Sequence, residues 1–65
     1  MKYEIEGRGT ITCNKDTMNV ISMLAEEASK MYALKGRPSL AQQARDIANG
    51  IYDMLDKKGY YDSIR

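Results

Sequence analysis

The chain has 65 residues, with ten Lys and Arg against nine Asp and Glu, and carries a net charge of +1. This length leaves no room for a second domain, and a monomer that buries only about 60% of its unfolded surface is marginally stable. The sequence contains no His, Trp or Phe and only one Cys, which removes the usual zinc-ligand sets and a Cys–His nucleophile.

Residues 2–13 are predicted to form a β-hairpin. Apolar and polar residues alternate on both sides of a short Gly-Arg-Gly segment, and this period of two places the apolar residues on one face. That face is expected to pack against the rest of the chain, and its members are Tyr3, Ile5, Ile11 and Cys13. Gly7 and Gly9 supply the positive φ angles that a tight connection needs.

A first long helix is predicted over residues 15–35. Asn14 is a suitable N-cap and Gly36 a suitable residue just beyond the C-terminal end. At about 100° per residue, one wide apolar stripe is expected to face the core. Its central members are Ile21, Leu24, Ala25, Ala28, Met31 and Tyr32, widened by Val20, Met23 and Leu34. The expected solvent face consists of Ser22, Glu26, Ser29 and Lys30.

A second helix is predicted over residues 40–57. Ser39 and Gln42 have the spacing of a capping box, and Gly59 follows the predicted end. The apolar face is narrow and contains Leu40, Ala44, Ile47, Ile51 and Leu55, flanked by Ala41, Ala48 and Met54. The predicted polar face contains Asp46, Asn49, Asp53 and Asp56, and Gly50 is placed on that side.

These elements predict one small α+β domain of ββαα order. The connection between the helices is only residues 36–39, and short connections produce antiparallel neighbouring helices. The chain is therefore expected to be an N-terminal β-hairpin followed by an antiparallel αα-hairpin. Residues 60–65 are expected to form a tail.

No catalytic, metal-binding or cofactor-binding residue is predicted, and the chain is not expected to be an enzyme. Cys13 has no His to activate it, so we interpret it as a small apolar packing residue. No apolar run approaches the roughly 20 residues that span a bilayer. The single Cys and the absence of an apolar leader at the start favour a cytoplasmic location.

The first functional hypothesis is a protein-binding module that acts as a homodimer and occupies or inhibits a partner protein. It depends on the width of the apolar stripe on the first helix, which one small core cannot bury completely. The predicted interface residues are Val20, Met23 and Leu34, with Tyr60 and Tyr61 at the rim. Small size and the absence of catalytic residues are also typical of accessory proteins of phages and mobile elements, and the chain is compatible with that class.

The alternative hypothesis is a small nucleic-acid-associated regulator. The candidate contacts are Arg8, Lys35, Arg37, Arg45, Lys57 and Lys58. These cations are distributed over both ends of the predicted αα-hairpin, and the net charge is nearly zero. Binding to nucleic acid depends mainly on neutralised phosphates, so we favour the protein-binding hypothesis.

Overall fold

A computed structural model describes residues 1–63 and confirms the ββαα order. It contains strands β1 (Lys2–Ile5) and β2 (Gly9–Thr12), then helices α1 (Lys15–Leu34), α2 (Pro38–Lys57) and α3 (Tyr60–Ser63). Helices α1 and α2 pack together as an αα-hairpin. None of the helices in the described residues combines the length and apolar character needed to cross a membrane.

The two strands form the predicted antiparallel hairpin. Tyr3 lies opposite Ile11, and Ile5 lies opposite Gly9. The backbones of Met1 and Cys13 close the open end, since the Cys13 N–H donates to the Met1 carbonyl at 3.0 Å. Tyr3, Ile11 and Cys13 pack against the helical core, as the period-two pattern predicts. Ile5, the fourth residue of the predicted face, is half-buried and borders the groove between the hairpin and α2.

The connection between α1 and α2 differs from the prediction at the start of α2. Asn14 caps α1 as expected, because its Oδ1 accepts the Thr17 N–H at 2.8 Å. Gly36 follows the end of α1 with φ of +72°, where glycine is favoured. However, α2 begins at Pro38 with Arg37 as N-cap and no side-chain capping bond. The predicted Ser39–Gln42 capping box was wrong, because Pro already fits the first helical position and Ser39 lies inside the helix.

The core lies where the N-terminal half of α1 meets the C-terminal half of α2. Its buried members are Met18, Ile51, Leu55 and Tyr60. Half-buried side chains from the hairpin and both helices surround them, including Tyr3, Ile11, Cys13, Ile21, Ile47 and Met54. The apolar face predicted for α2 is confirmed at Ala44, Ile51 and Leu55, which are buried together with the flanking Ala41 and Ala48. The prediction was wrong at Leu40, which is 38% exposed near the start of the helix.

Gly50 lies beneath the hairpin rather than on a free polar surface. A Cβ atom at this position would collide with the Tyr3 hydroxyl and would lie 2.9 Å from Tyr3 Cζ. The prediction that Gly50 belongs to the solvated side of α2 was therefore wrong. The missing side chain lets the Tyr3 ring approach the helix backbone, which explains a helix-weakening residue at this position.

Part of the predicted tail is a folded element. Gly59 adopts φ of +74°, and the chain then turns into the single-turn helix α3. This turn places Tyr60 in the core, which corrects the expectation of a tail for this part of the chain. Residues 64 and 65, which belonged to the same predicted tail, lie outside the described residues.

Candidate protein-binding surface

Two small polar side chains of α1 are buried in the fold. Ser22 and Ser29 are both buried, and they lie on the side of α1 that also buries Met18. The hydroxyls of Ser22 and Ser29 donate to the backbone carbonyls of Asn19 and Glu26, each at 2.6 Å. The predicted solvent face of α1 was wrong at these two positions, because serines bonded to their own helix can be buried without an unpaired polar group.

The opposite side of α1 exposes large apolar side chains. Five residues, here called the outer row, are between 51% and 89% exposed. The outer row consists of Val20, Met23, Leu24, Met31 and Leu34. Leu24 and Met31 were predicted to face the core, and that prediction was wrong because the helix is rotated to face its small residues toward α2.

The composition of α2 explains this rotation. Its contact face is built from Ala41, Ala44 and Ala48, which allow a second helix to approach closely. Ser29 borders Ala48 of this face, and a leucine or methionine at position 29 would crowd the two helices. Ser22 lies farther along the contact, beside Tyr61. The best-packed arrangement therefore leaves the large apolar residues of α1 pointing away from α2.

Three tyrosines form an aromatic corner beside the N-terminal half of α1. The Tyr61 ring stacks on Tyr52 with centroids 5.4 Å apart and meets Tyr60 edge-on at 5.2 Å. The Tyr60 hydroxyl donates to Asp16 Oδ1 at 2.7 Å, and the Tyr61 hydroxyl donates to Asn19 Oδ1 at 2.9 Å. Tyr60 is buried in the core and Tyr61 is half-buried, so neither adds a large free surface to the outer row.

The surroundings of Tyr60 and Tyr61 raise the pKa of both phenols. Donation to the Asp16 carboxylate raises the pKa of Tyr60, and burial raises it further. Burial raises the pKa of Tyr61, and a hydrogen bond with Ser22 opposes that shift. Both phenols are therefore held in the neutral form in which they can donate to α1.

Two of the candidate nucleic-acid residues, Arg8 and Lys57, lie beside acidic side chains. Arg8 borders a groove between the hairpin and α2 that also carries Glu6 and Asp46. Lys57, at the opposite end of the αα-hairpin, pairs with Asp53 at 3.1 Å. Acidic side chains therefore interrupt the positive charge at both of these places. The full set of six candidates remains Arg8, Lys35, Arg37, Arg45, Lys57 and Lys58.

The structure gives Cys13 a packing position. It is half-buried at the end of the hairpin, and its Sγ lies 4.0 Å from the Met18 Sδ. Soft, polarizable sulfur atoms pack well in such irregular places. Cys13 thus joins the hairpin to the core beneath it.

Known proteins give no guide to the role of the outer row. No protein-family model matches the chain, and neither a curated protein nor a solved structure matches it. The geometry and chemistry of this surface are therefore the only guide to its role.

Proposed function

We propose that the chain is a non-catalytic protein-binding module that acts as a homodimer, with the outer row of α1 as the contact between copies. The observation that carries this proposal is the size of the outer row. Its exposed fractions correspond to roughly 500–600 Å² of surface, the upper end for the largest apolar patch on a typical monomer. A two-fold dimer uses the same patch on both copies, so one such surface is sufficient.

The area is also close to what a stable dimer requires. A standard protein interface buries about 800 Å² on each partner. Glu27 lies among the residues of the outer row and Lys30 lies at its edge, and their side chains are 69% and 61% exposed. Covering these charged neighbours together with the outer row brings the buried area near that standard value. The chain is also small enough that association would add substantially to its stability.

In this proposal the homodimer is the form that occupies or inhibits a partner protein. The residue chemistry supports a binding role over a catalytic one, because Cys13 packs against Met18 and the sequence has no His. The nearly neutral charge supports a protein partner over a nucleic acid.

Sedimentation equilibrium over a dilution series tests the homodimer. We expect a mass of twice 7.4 kDa at high concentration that falls to 7.4 kDa on dilution. Leu24→Glu should remain monomeric throughout, because it places a charge in the middle of the contact. Asn49→Glu adds the same charge to an exposed position of α2 and should dimerise as the wild type does.

Two results would contradict the proposal. A wild-type mass that stays at 7.4 kDa at every concentration would contradict the proposed homodimer. Binding to duplex DNA that weakens steeply with salt, and that Arg37→Glu reduces, would favour the nucleic-acid alternative. Far-UV circular dichroism of each variant confirms that the helices remain folded.

A further inference from the structure

The outer face of α1 has the spacing of a helix-pairing seam. Val20, Leu24, Glu27, Met31 and Leu34 follow one another at intervals of four, three, four and three residues. This alternation repeats every seven residues and keeps the side chains on one narrow stripe, which drifts by only about 20° per heptad on a straight helix. The face therefore fits another helix lying along it better than an irregular or flat surface.

Glu27 sits in the middle of this seam and restricts how two helices can pair. Its carboxylate lies 3.4 Å from the Lys30 ammonium in the same helix, and both side chains are mostly exposed. In a parallel two-fold pair, each Glu27 would lie directly opposite the other Glu27. Like charges at a contact destabilise it, so the parallel arrangement is disfavoured.

The charges at the two ends of α1 favour an antiparallel pair of helices. Asp16 lies one turn before Val20, and Lys35 directly follows Leu34. An antiparallel pair that overlaps along the whole helix brings Asp16 of each copy near Lys35 of the other. The helix dipoles of the two copies also oppose each other in this arrangement, whereas a parallel pair aligns like charges at both ends.

We infer that the second copy binds in the antiparallel direction, so that the two α1 helices lie side by side with Val20 of each near Met31 of the other. Each Glu27 then lies beside Leu24 of the second copy, and Lys30 stays at the edge to neutralise it. This inference depends on the proposed homodimer and adds the orientation that the charges of α1 select.

Disulfide trapping with two single-cysteine variants tests the orientation. Both variants carry Cys13→Ala, so that the introduced thiol is the only one. One adds Val20→Cys and the other adds Met31→Cys. The two are oxidised separately and as an equimolar mixture, and mass spectrometry distinguishes the products. Sedimentation of each reduced variant measures dimer formation independently of the cross-link.

The antiparallel pair predicts that the mixed disulfide between positions 20 and 31 forms at least tenfold faster than either self-linked product. Faster self-linking at position 20 would overturn the antiparallel orientation and leave the homodimer intact. Dimers that form no disulfide at either position would overturn the outer row as the contact. Variants that sediment as monomers and do not cross-link, together with a wild-type chain that is also monomeric, would overturn both the orientation and the proposed homodimer.

A second variant tests the position of Glu27 without any cross-link. Glu27→Leu replaces a charge beside Leu24 of the second copy with an apolar side chain. We expect the dimer dissociation constant to fall at least tenfold. Glu26→Leu, one residue away and exposed, is the matched control and should change it less than threefold. Equal effects of the two substitutions would contradict the proposed seam.

Discussion

The two long helices have equal lengths but use their apolar residues differently. In α2 most of the apolar residues form one narrow face, and the fold buries its centre from Ala41 to Leu55 while Leu40 stays 38% exposed. In α1 they cover most of the circumference, and the fold buries only the side with Met18, Ser22 and Ser29. When a helix has one apolar face, its sequence alone shows which side turns toward the core. A helix with apolar residues on two sides is oriented by the shape of its neighbour, and the remaining side is available for binding.

The largest expected effect separates these two helices directly. Ile51 is fully buried on α2, so Ile51→Ala should lower the free energy of unfolding by about 2–5 kcal/mol. Leu24 is 63% exposed on α1, so Leu24→Ala should lower it by less than about 1 kcal/mol in the monomer. Urea denaturation at low protein concentration measures both. Equal losses of stability would mean that Leu24 is buried, and that α1 is rotated about its axis relative to the orientation described here.

The next effect concerns the close approach of α1 to α2. Ser29→Leu should cost about 1–3 kcal/mol, because the larger side chain has no space against the alanines of α2. Ser29→Ala should be nearly neutral, since the hydroxyl bonds only within its own helix. The same denaturation experiment compares them. If Ser29→Leu proves as harmless as Ser29→Ala, the serine side of α1 faces solvent.

A smaller effect tests the contact between the hairpin and α2. Gly50→Ala gains about 1 kcal/mol of helix propensity but must displace the Tyr3 ring, an overpacking cost of about 1–3 kcal/mol. We expect a net loss of stability of about 1 kcal/mol. In a Tyr3→Ala background the same substitution should instead stabilise by about 1 kcal/mol. If Gly50→Ala changed the free energy of unfolding in the same direction with and without the Tyr3 ring, that result would argue against this contact.

The smallest effect is the dependence of stability on alkaline pH. The folded state raises the pKa of Tyr60 above its ordinary value of about 10, chiefly through the hydrogen bond to Asp16. The folded chain therefore keeps a proton that the unfolded chain loses. The resulting stabilisation is complete below pH 10 and disappears as the pH rises through the folded pKa.

Tyr60→Phe tests this dependence because it keeps the ring and removes the proton. We expect the variant to lose stability less steeply than the wild type above about pH 10. Thermal melts at several pH values give both slopes, and identical slopes would show that Tyr60 does not contribute. Tyr61, whose pKa is also raised, accounts for a remaining slope in the variant.

The sequence predicted those elements whose signals are local. Strand alternation located the hairpin, and Gly36 and Gly59 marked the ends of both helices. The orientation of α1 was not predictable in the same way, because Ser22 and Ser29 were treated as solvent-facing polar residues. The small side chain of Ser29, which borders Ala48 of α2, is a sequence signal compatible with the observed orientation.

Contacts between distant residues explain the other differences. Tyr60 folds back because its hydroxyl reaches Asp16, 44 residues earlier, and no local pattern contains that contact. The glycine at position 50 is similarly explained only by the Tyr3 ring that lies over it, a contact between residues distant in the sequence. For the candidate surface, the sequence identified Val20, Met23 and Leu34 as residues left over from the core. It missed Leu24 and Met31, because their place depended on the rotation of α1.

Methyl NMR of the methionines tests the central claim most directly, since natural probes lie on both sides of α1. Met23 and Met31 belong to the outer row, while Met18 is fully buried in the core and Met54 is half-buried beside it. If the outer row is the contact between copies, we expect the Met23 and Met31 methyl signals to shift together along one association curve on dilution. The methyl signals of Met18 and Met54 should stay fixed. Four signals that remain unchanged over the whole concentration range, or shifts confined to Met18 and Met54, would contradict the account.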